Sequence, residues 1–152
     1  MSRGKKFGLA VLAVFIAIQF IRPTRNAGKA DSPTDILHAV SVPAEVAVLL
    51  KAACYDCHSN NTTYPWYAHI QPLAWYLAHH IDEGKRELNF SEFGSYSKRR
   101  QANKLTAIAR QVEEGAMPLS SYTMLHPAAR LTAAQKNQII TWAYAAQDST
   151  RQ

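Results

Sequence analysis

The only two cysteines of the chain stand three residues apart, and a histidine follows the second at once: Cys54-Tyr55-Asp56-Cys57-His58. This pentapeptide constrains the fold more than any other stretch. The i, i+3, i+4 spacing brings two sulfurs and an imidazole to one side when the stretch forms a helical turn. The flanking residues agree with such a turn. After Pro43, which suits a first helical turn, Val46, Leu49, Leu50 and Ala53 share one face and lead directly into Cys54.

Helical periodicity recurs downstream. Leu73, Tyr76, Leu77, His80 and Ile81 predict a second helix from about Pro72, with Gly84 as a natural stop. Ala102, Leu105, Ile108, Ala109 and Val112 predict a third over about Lys98 to Glu114, ended by Gly115. Thr132 with Gln135 forms a capping box for a last helix whose face is Ile139, Trp142, Ala143 and Ala146. No strand alternation and no internal repeat are visible. The expected fold class is therefore all-α, a small helical domain over residues 43–152. Its loops are long for a core of that size, which leaves room for a large rigid cofactor at the centre.

The N-terminus is a separate matter. Residues 1–30 hold six basic and no acidic side chains, whereas residues 31–152 hold eleven of each. The net charge of +6 is thus an N-terminal property, and the domain gives no reason to expect a nucleic-acid partner. A basic start precedes the apolar run "FGLAVLAVFIAIQFI", residues 7–21, and Arg22 and Pro23 close it. As a helix the run is ~22 Å long. A full span needs ~20 residues and a signal-peptide core 7–15. Residues 1–21 are read as an uncleaved signal anchor, single-pass in the cytoplasmic (inner) membrane. A cleaved signal ending near Gly28-Lys29-Ala30 is the alternative, followed by a buried helix. Residues 22–42, with Pro23, Gly28 and Pro33 and no sustained period, read as a linker.

C-x-x-C-H is the sequence signature of c-type haem attachment. Two haem vinyl groups need two thiols on one side, which Cys54 and Cys57 provide, and His58 is placed to approach the iron. The competing readings use the same residues. Zinc needs four ligands, and the scattered histidines supply no second pair at the right spacing. A redox dithiol expects an α/β pattern that is missing here. A plain disulfide is the third possibility. Haem attachment of this type happens outside the cytoplasm, so the domain is expected on the periplasmic side.

A single-electron carrier also needs a sixth ligand. Met117 lies in the loop Gly115-Ala116-Met117-Pro118, where Pro118 stiffens the backbone. It is the first choice. His80, a polar ring on an apolar helix face, is the alternative. Met124, His69, His79 and His126 are weaker candidates, and His126 is expected to stabilise its own loop. The aromatic stretch Tyr64-Pro65-Trp66-Tyr67 could line the haem edge or pack in the core. Asn89 to Phe93 read as a packed loop, and Lys98-Arg99-Arg100 as a solvated helix start.

Three blocks in order, "CYDCHSNNTTYPWY", "IDEGKRELNFSEF" and "GAMPLSSYTMLHPAARLT" with the later "IITWA", resemble the bacterial haem-binding-domain family of CxxCH proteins. The resemblance covers about residues 45–145, and the anchor ending "FIRP" fits as well. It implies a cytochrome-c-like domain with one covalent haem c, Cys54 and Cys57 as attachment sites and His58 as proximal ligand. Met117 rests on spacing and a general likeness to mono-haem cytochromes c. The expected function is a membrane-tethered electron carrier with redox protein partners, not an enzyme. A haem sensor or peroxidase-like domain with an open sixth position is the alternative, and a zinc-bound interaction module comes third. No acid/base pair near an assignable distal pocket supports the peroxidase reading.

Overall fold

The computed structural model describes residues 2–29 and 32–151. Met1, Ala30, Asp31 and Gln152 lie outside the described residues, and so does the end of the Gly28-Lys29-Ala30 cleavage candidate. Eight α-helices are described: α1 Arg3–Ile18, α2 Ile36–Ala39, α3 Ala44–Ala53, α4 Tyr55–His58, α5 Leu73–Glu87, α6 Lys98–Glu113, α7 Ser120–Leu125 and α8 Ala133–Arg151. Three 3₁₀ turns, Trp66–His69, Phe90–Ser95 and Pro127–Ala129, fill the connections. The described residues form no strand beyond one isolated bridge between Ala27 and Asn61. The all-α class follows.

The core forms where α6 and α3 both pack against α8. Leu105, Ile108, Ala109 and Val112 of α6 meet Ile139, Trp142, Ala143 and Ala146 of α8. Val46, Leu49 and Leu50 of α3 close the same cluster. Each fully buried aliphatic side chain contributes about 1.5–3 kcal/mol. Phe90 and Phe93, from the loop expected to pack, are buried in this core as well. The capping box at α8 forms: the Thr132 N–H donates to Gln135 Oε1 at 2.8 Å, and the Gln135 N–H donates to Thr132 Oγ1 at 3.3 Å. Gly115 ends the α6 region at φ +71°, in the left-handed region that favours glycine.

Two elements differ from expectation. Gly84 does not stop α5, which runs on to Glu87. The α5 backbone passes so close to α4 that a Cβ at position 84 would sit 2.7 Å from the Cys57 carbonyl oxygen. The glycine is there for close approach. The described residues of the stretch expected as a linker, 22–29 and 32–42, contact the domain. Ile36 is fully buried, and the buried Asp35 caps α2 by accepting from the Leu37 N–H at 3.0 Å. Asn26 donates through Nδ2 to Ser59 O and Thr62 Oγ1, both at 2.9 Å, and accepts from Lys85 Nζ at 2.7 Å. Polar bonds fasten residues 22–29, while Ile36 enters the core with Leu37, Val40 and Val42 packed beside it, over a run too short to show a period.

No residue of α1 is buried. Its 16 residues give ~24 Å of helix, against a hydrocarbon core ~30 Å thick. Among the described residues, no helix is long and apolar enough to cross a membrane.

Candidate functional site

Helix α3 ends at Ala53, and the chain turns at Cys54 into the single turn of α4. The Cys57 and His58 N–H groups both donate to the Cys54 carbonyl, at 3.2 and 3.0 Å. The motif thus forms the compact helical turn that its spacing requires. Both intervening side chains hold it in place. Tyr55 OH donates to Asp35 Oδ1 at 2.6 Å, and Tyr122 OH donates to Asp56 Oδ2 at 2.7 Å. The Thr63 N–H adds a 3.0 Å bond to Asp56 Oδ1. Burial and the partner carboxylate push both tyrosine hydroxyls above their ordinary range, so they stay protonated donors.

Two adjoining cavities, of about 410 and 300 Å³, open beside this turn. Cys54, His58 and Met117 line both of them. Cys57 and His80 line the larger one, where Tyr122 forms another part of the wall. Leu88, Phe90 and Lys104 line the smaller one. The four residues singled out from the sequence therefore meet in one place, and so does the alternative ligand. A wider groove of about 780 Å³ beside α8 has no cysteine or histidine in its wall.

The geometry fixes one tautomer of His58. A backbone carbonyl can only accept, so the 3.0 Å contact between His58 Nδ1 and Leu88 O makes Nδ1 the protonated nitrogen. Nε2 is left with its lone pair, and Phe90 backs the ring at 5.9 Å between centroids. Burial pushes the His58 pKa down, against the pull of the Leu88 and Gly84 carbonyls and Glu87, so the neutral, ligating form is favoured. His80 Nε2 is buried and has no hydrogen-bond partner. An unpartnered polar atom in a cavity wall is costly unless something else meets it.

The thiols behave differently from those of a redox dithiol. Both cysteines are free. Burial, and then Cys57, pushes Cys54 up to about 12; burial, and then Asp56, pushes Cys57 up to about 11. Redox-active cysteines lie well below the ordinary value. For a metal ion, no group of three or more His, Cys, Asp or Glu side chains gathers among the described residues.

The remaining candidates lie elsewhere. His69 contacts Arg25 at 3.2 Å, and His79 pairs with Glu83 at 3.3 Å. His126 donates from Nδ1 to Tyr122 O at 3.0 Å and stacks on the Tyr122 ring, as expected of a loop stabiliser. Met124 is exposed. Tyr64 and Tyr67 turn to Asn26 and His126, and Trp66 faces solvent, so none of these aromatic rings reaches the cavity. Lys98, Arg99 and Arg100 are exposed at the start of α6. Sequence reasoning missed Leu88, whose role is carried by a backbone carbonyl and leaves no trace in residue identity. It missed Tyr122 and Asp35 because their partners are distant in sequence. Gly84, isolated in a helical pattern, was a readable signal of close approach.

These side chains fit a haem. Two thiols and a tautomer-fixed histidine share one cavity wall with a loop methionine and an unpartnered imidazole nitrogen. An all-α domain with this donor set defines a haem-binding class of protein. The chain belongs to the haem-binding domain family, which it matches over residues 13–145. That span takes in the stretch 22–42 along with α2 to α7 and the greater part of α8. No curated protein and no solved structure matches the chain.

Proposed function

We propose that the domain holds one haem c, anchored as thioethers on Cys54 and Cys57, and carries single electrons as a cytochrome. Haem iron supplies one-electron redox chemistry when bound. His58 would be the proximal ligand and Met117 the sixth. The observation that carries this reading is the meeting of Cys54, His58 and Met117 in the walls of both cavities, with His58 Nδ1 already bonded to Leu88 O. The protein's own part is to hold the imidazole in one tautomer, to exclude water with Phe90, Ile108 and Val112, and to present a thioether sulfur on a loop anchored to α6. The Met117 N–H donates to Gln111 O at 3.0 Å.

The apolar N-terminal helix, flanked by basic residues, supports a tether to the cytoplasmic membrane with the domain on the periplasmic side. Redox proteins at that surface would be the partners. The buried, unpartnered Nε2 of His80 favours a second reading, in which the sixth position is exchangeable and His80 faces it for sensing or peroxidase-like chemistry. Spectra of the haem-loaded chain and two variants separate the readings. Met117→Ala should abolish the long-wavelength sulfur-to-iron band of the oxidised protein, while His80→Ala leaves it. A band unchanged in Met117→Ala removes the methionine assignment. A high-spin wild-type spectrum favours the exchangeable position.

A further inference from the structure

We propose that the domain rests on the bilayer itself: the face carrying Trp66, Ile70 and Leu73, continuous with the C-terminal end of α1, lies in the lipid interface, with Arg22 and Arg25 at the lipid phosphates. This rests on the membrane-tether reading and adds the orientation of the domain to it. Helix α1 is too short to cross a bilayer alone, yet its apolar side chains are exposed throughout. Phe20 and Ile21 continue that exposure beyond the helix.

The end of α1 is fastened to one edge of the domain. Gln19 exchanges two bonds with the Gln71 backbone: its Nε2 donates to Gln71 O at 3.2 Å, and the Gln71 N–H donates to its Oε1 at 2.9 Å. Trp75 Nε1 donates to Ile21 O at 2.9 Å. The exposed apolar residues Ile70 and Leu73 flank Gln71 in the chain. Trp66, 73 % exposed, opens the 3₁₀ turn just before them. An indole beside aliphatic side chains at the end of an apolar helix suits the interfacial belt.

The charges match the same occupant. Arg22 follows Ile21 directly, and Arg25 is held against His69 and over the Tyr64 ring, 4.8 Å from its centroid. No acidic residue occurs from Cys57 to Ile81 or from Met1 to Ala30, so the two segments that form the face bring no carboxylate to repel anionic lipid.

The test uses the full chain in vesicles of phosphatidylethanolamine and phosphatidylglycerol. Single spin labels are placed by Ile70→Cys, by Leu73→Cys and, as a control on α3, by the exposed Val48→Cys. The haem-loaded chain is used, in which the only two native thiols, Cys54 and Cys57, are thioethers on this reading, and mass spectrometry checks that each variant carries one label. The expected result is co-flotation with the vesicles, and an oxygen-to-nickel-chelate accessibility ratio severalfold higher at 70 and 73 than at 48. Co-flotation with all three labels equally water-accessible overturns the docking and leaves the tether standing. A chain that stays in the aqueous phase overturns both.

Discussion

At position 84 one missing methyl group sets how closely α5 approaches the motif. A Cβ there would meet the Cys57 carbonyl at 2.7 Å and the Cys57 Cβ at 3.3 Å, and both neighbours are held by the α4 turn. Gly84→Ala should therefore lower stability by about 1–3 kcal/mol, measured by denaturant unfolding, and reduce haem loading along with it. An unchanged midpoint would show that the two helices separate freely. In the cofactor-free chain His58 and the two thiols set the pH at which stability first falls on each side. The unfolded chain protonates His58 near 6.5, while the folded chain resists, so stability falls as pH drops below about 6.5. The unfolded thiols ionise near 9.0, while folded Cys54 and Cys57 hold their protons to about 12 and 11, so stability also falls as pH rises above 9.0. Once both sulfurs are thioethers they have no proton to lose, so the fall that begins at 9.0 should disappear, while the fall above 10.0, where Tyr55, Tyr67 and Tyr122 ionise more readily in the unfolded chain, should remain. Thermal melts across pH, with and without haem, check both limbs.

At the scale of elements, residues 22–29 are held to the domain chiefly through Asn26. Asn26→Ala removes two donated bonds and the acceptor for Lys85, and should cost about 1–3 kcal/mol. Hydrogen exchange at Thr62, whose N–H donates to Asn26 O at 3.1 Å, should rise with it. A variant as stable as the parent would make residues 22–29 a true linker. How far the elements were legible depended on what holds them. The helices α3, α6 and α8 bury aliphatic stripes, so their period was readable from Val46 to Ala146. Helix α5 was legible in kind, but its stripe divides: Leu77 and Ile81 are buried while Leu73 and Tyr76 stay exposed. Its continuation past Gly84 depends on a contact with Cys57 that no local pattern contains. Residues 22–29 were illegible because hydrogen bonds of Asn26 secure them, and such bonds have no period; residues 35–42 bury Ile36 and pack Leu37, Val40 and Val42 on the core, but over too few turns for a period to show.

For the whole molecule, the candidate site was legible to the extent that its donors carry distinctive chemistry. Cys54, Cys57, His58, Met117 and His80 were all identifiable as residues, and the fold brings them to one cavity. What fixes them was not identifiable: the Leu88 carbonyl, the Tyr122–Asp56 bond and the Asp35–Tyr55 bond join positions 20 to 66 residues apart. The central claim is that this cavity binds haem through Cys54 and Cys57. Its most direct test is the haem content of the full chain, made with haem-maturation machinery, before and after denaturing electrophoresis. The account predicts haem that stays with the wild-type band and is lost from the Cys54→Ala/Cys57→Ala double variant. Haem released from the wild-type chain on denaturation, or retained equally by the double variant, would contradict it.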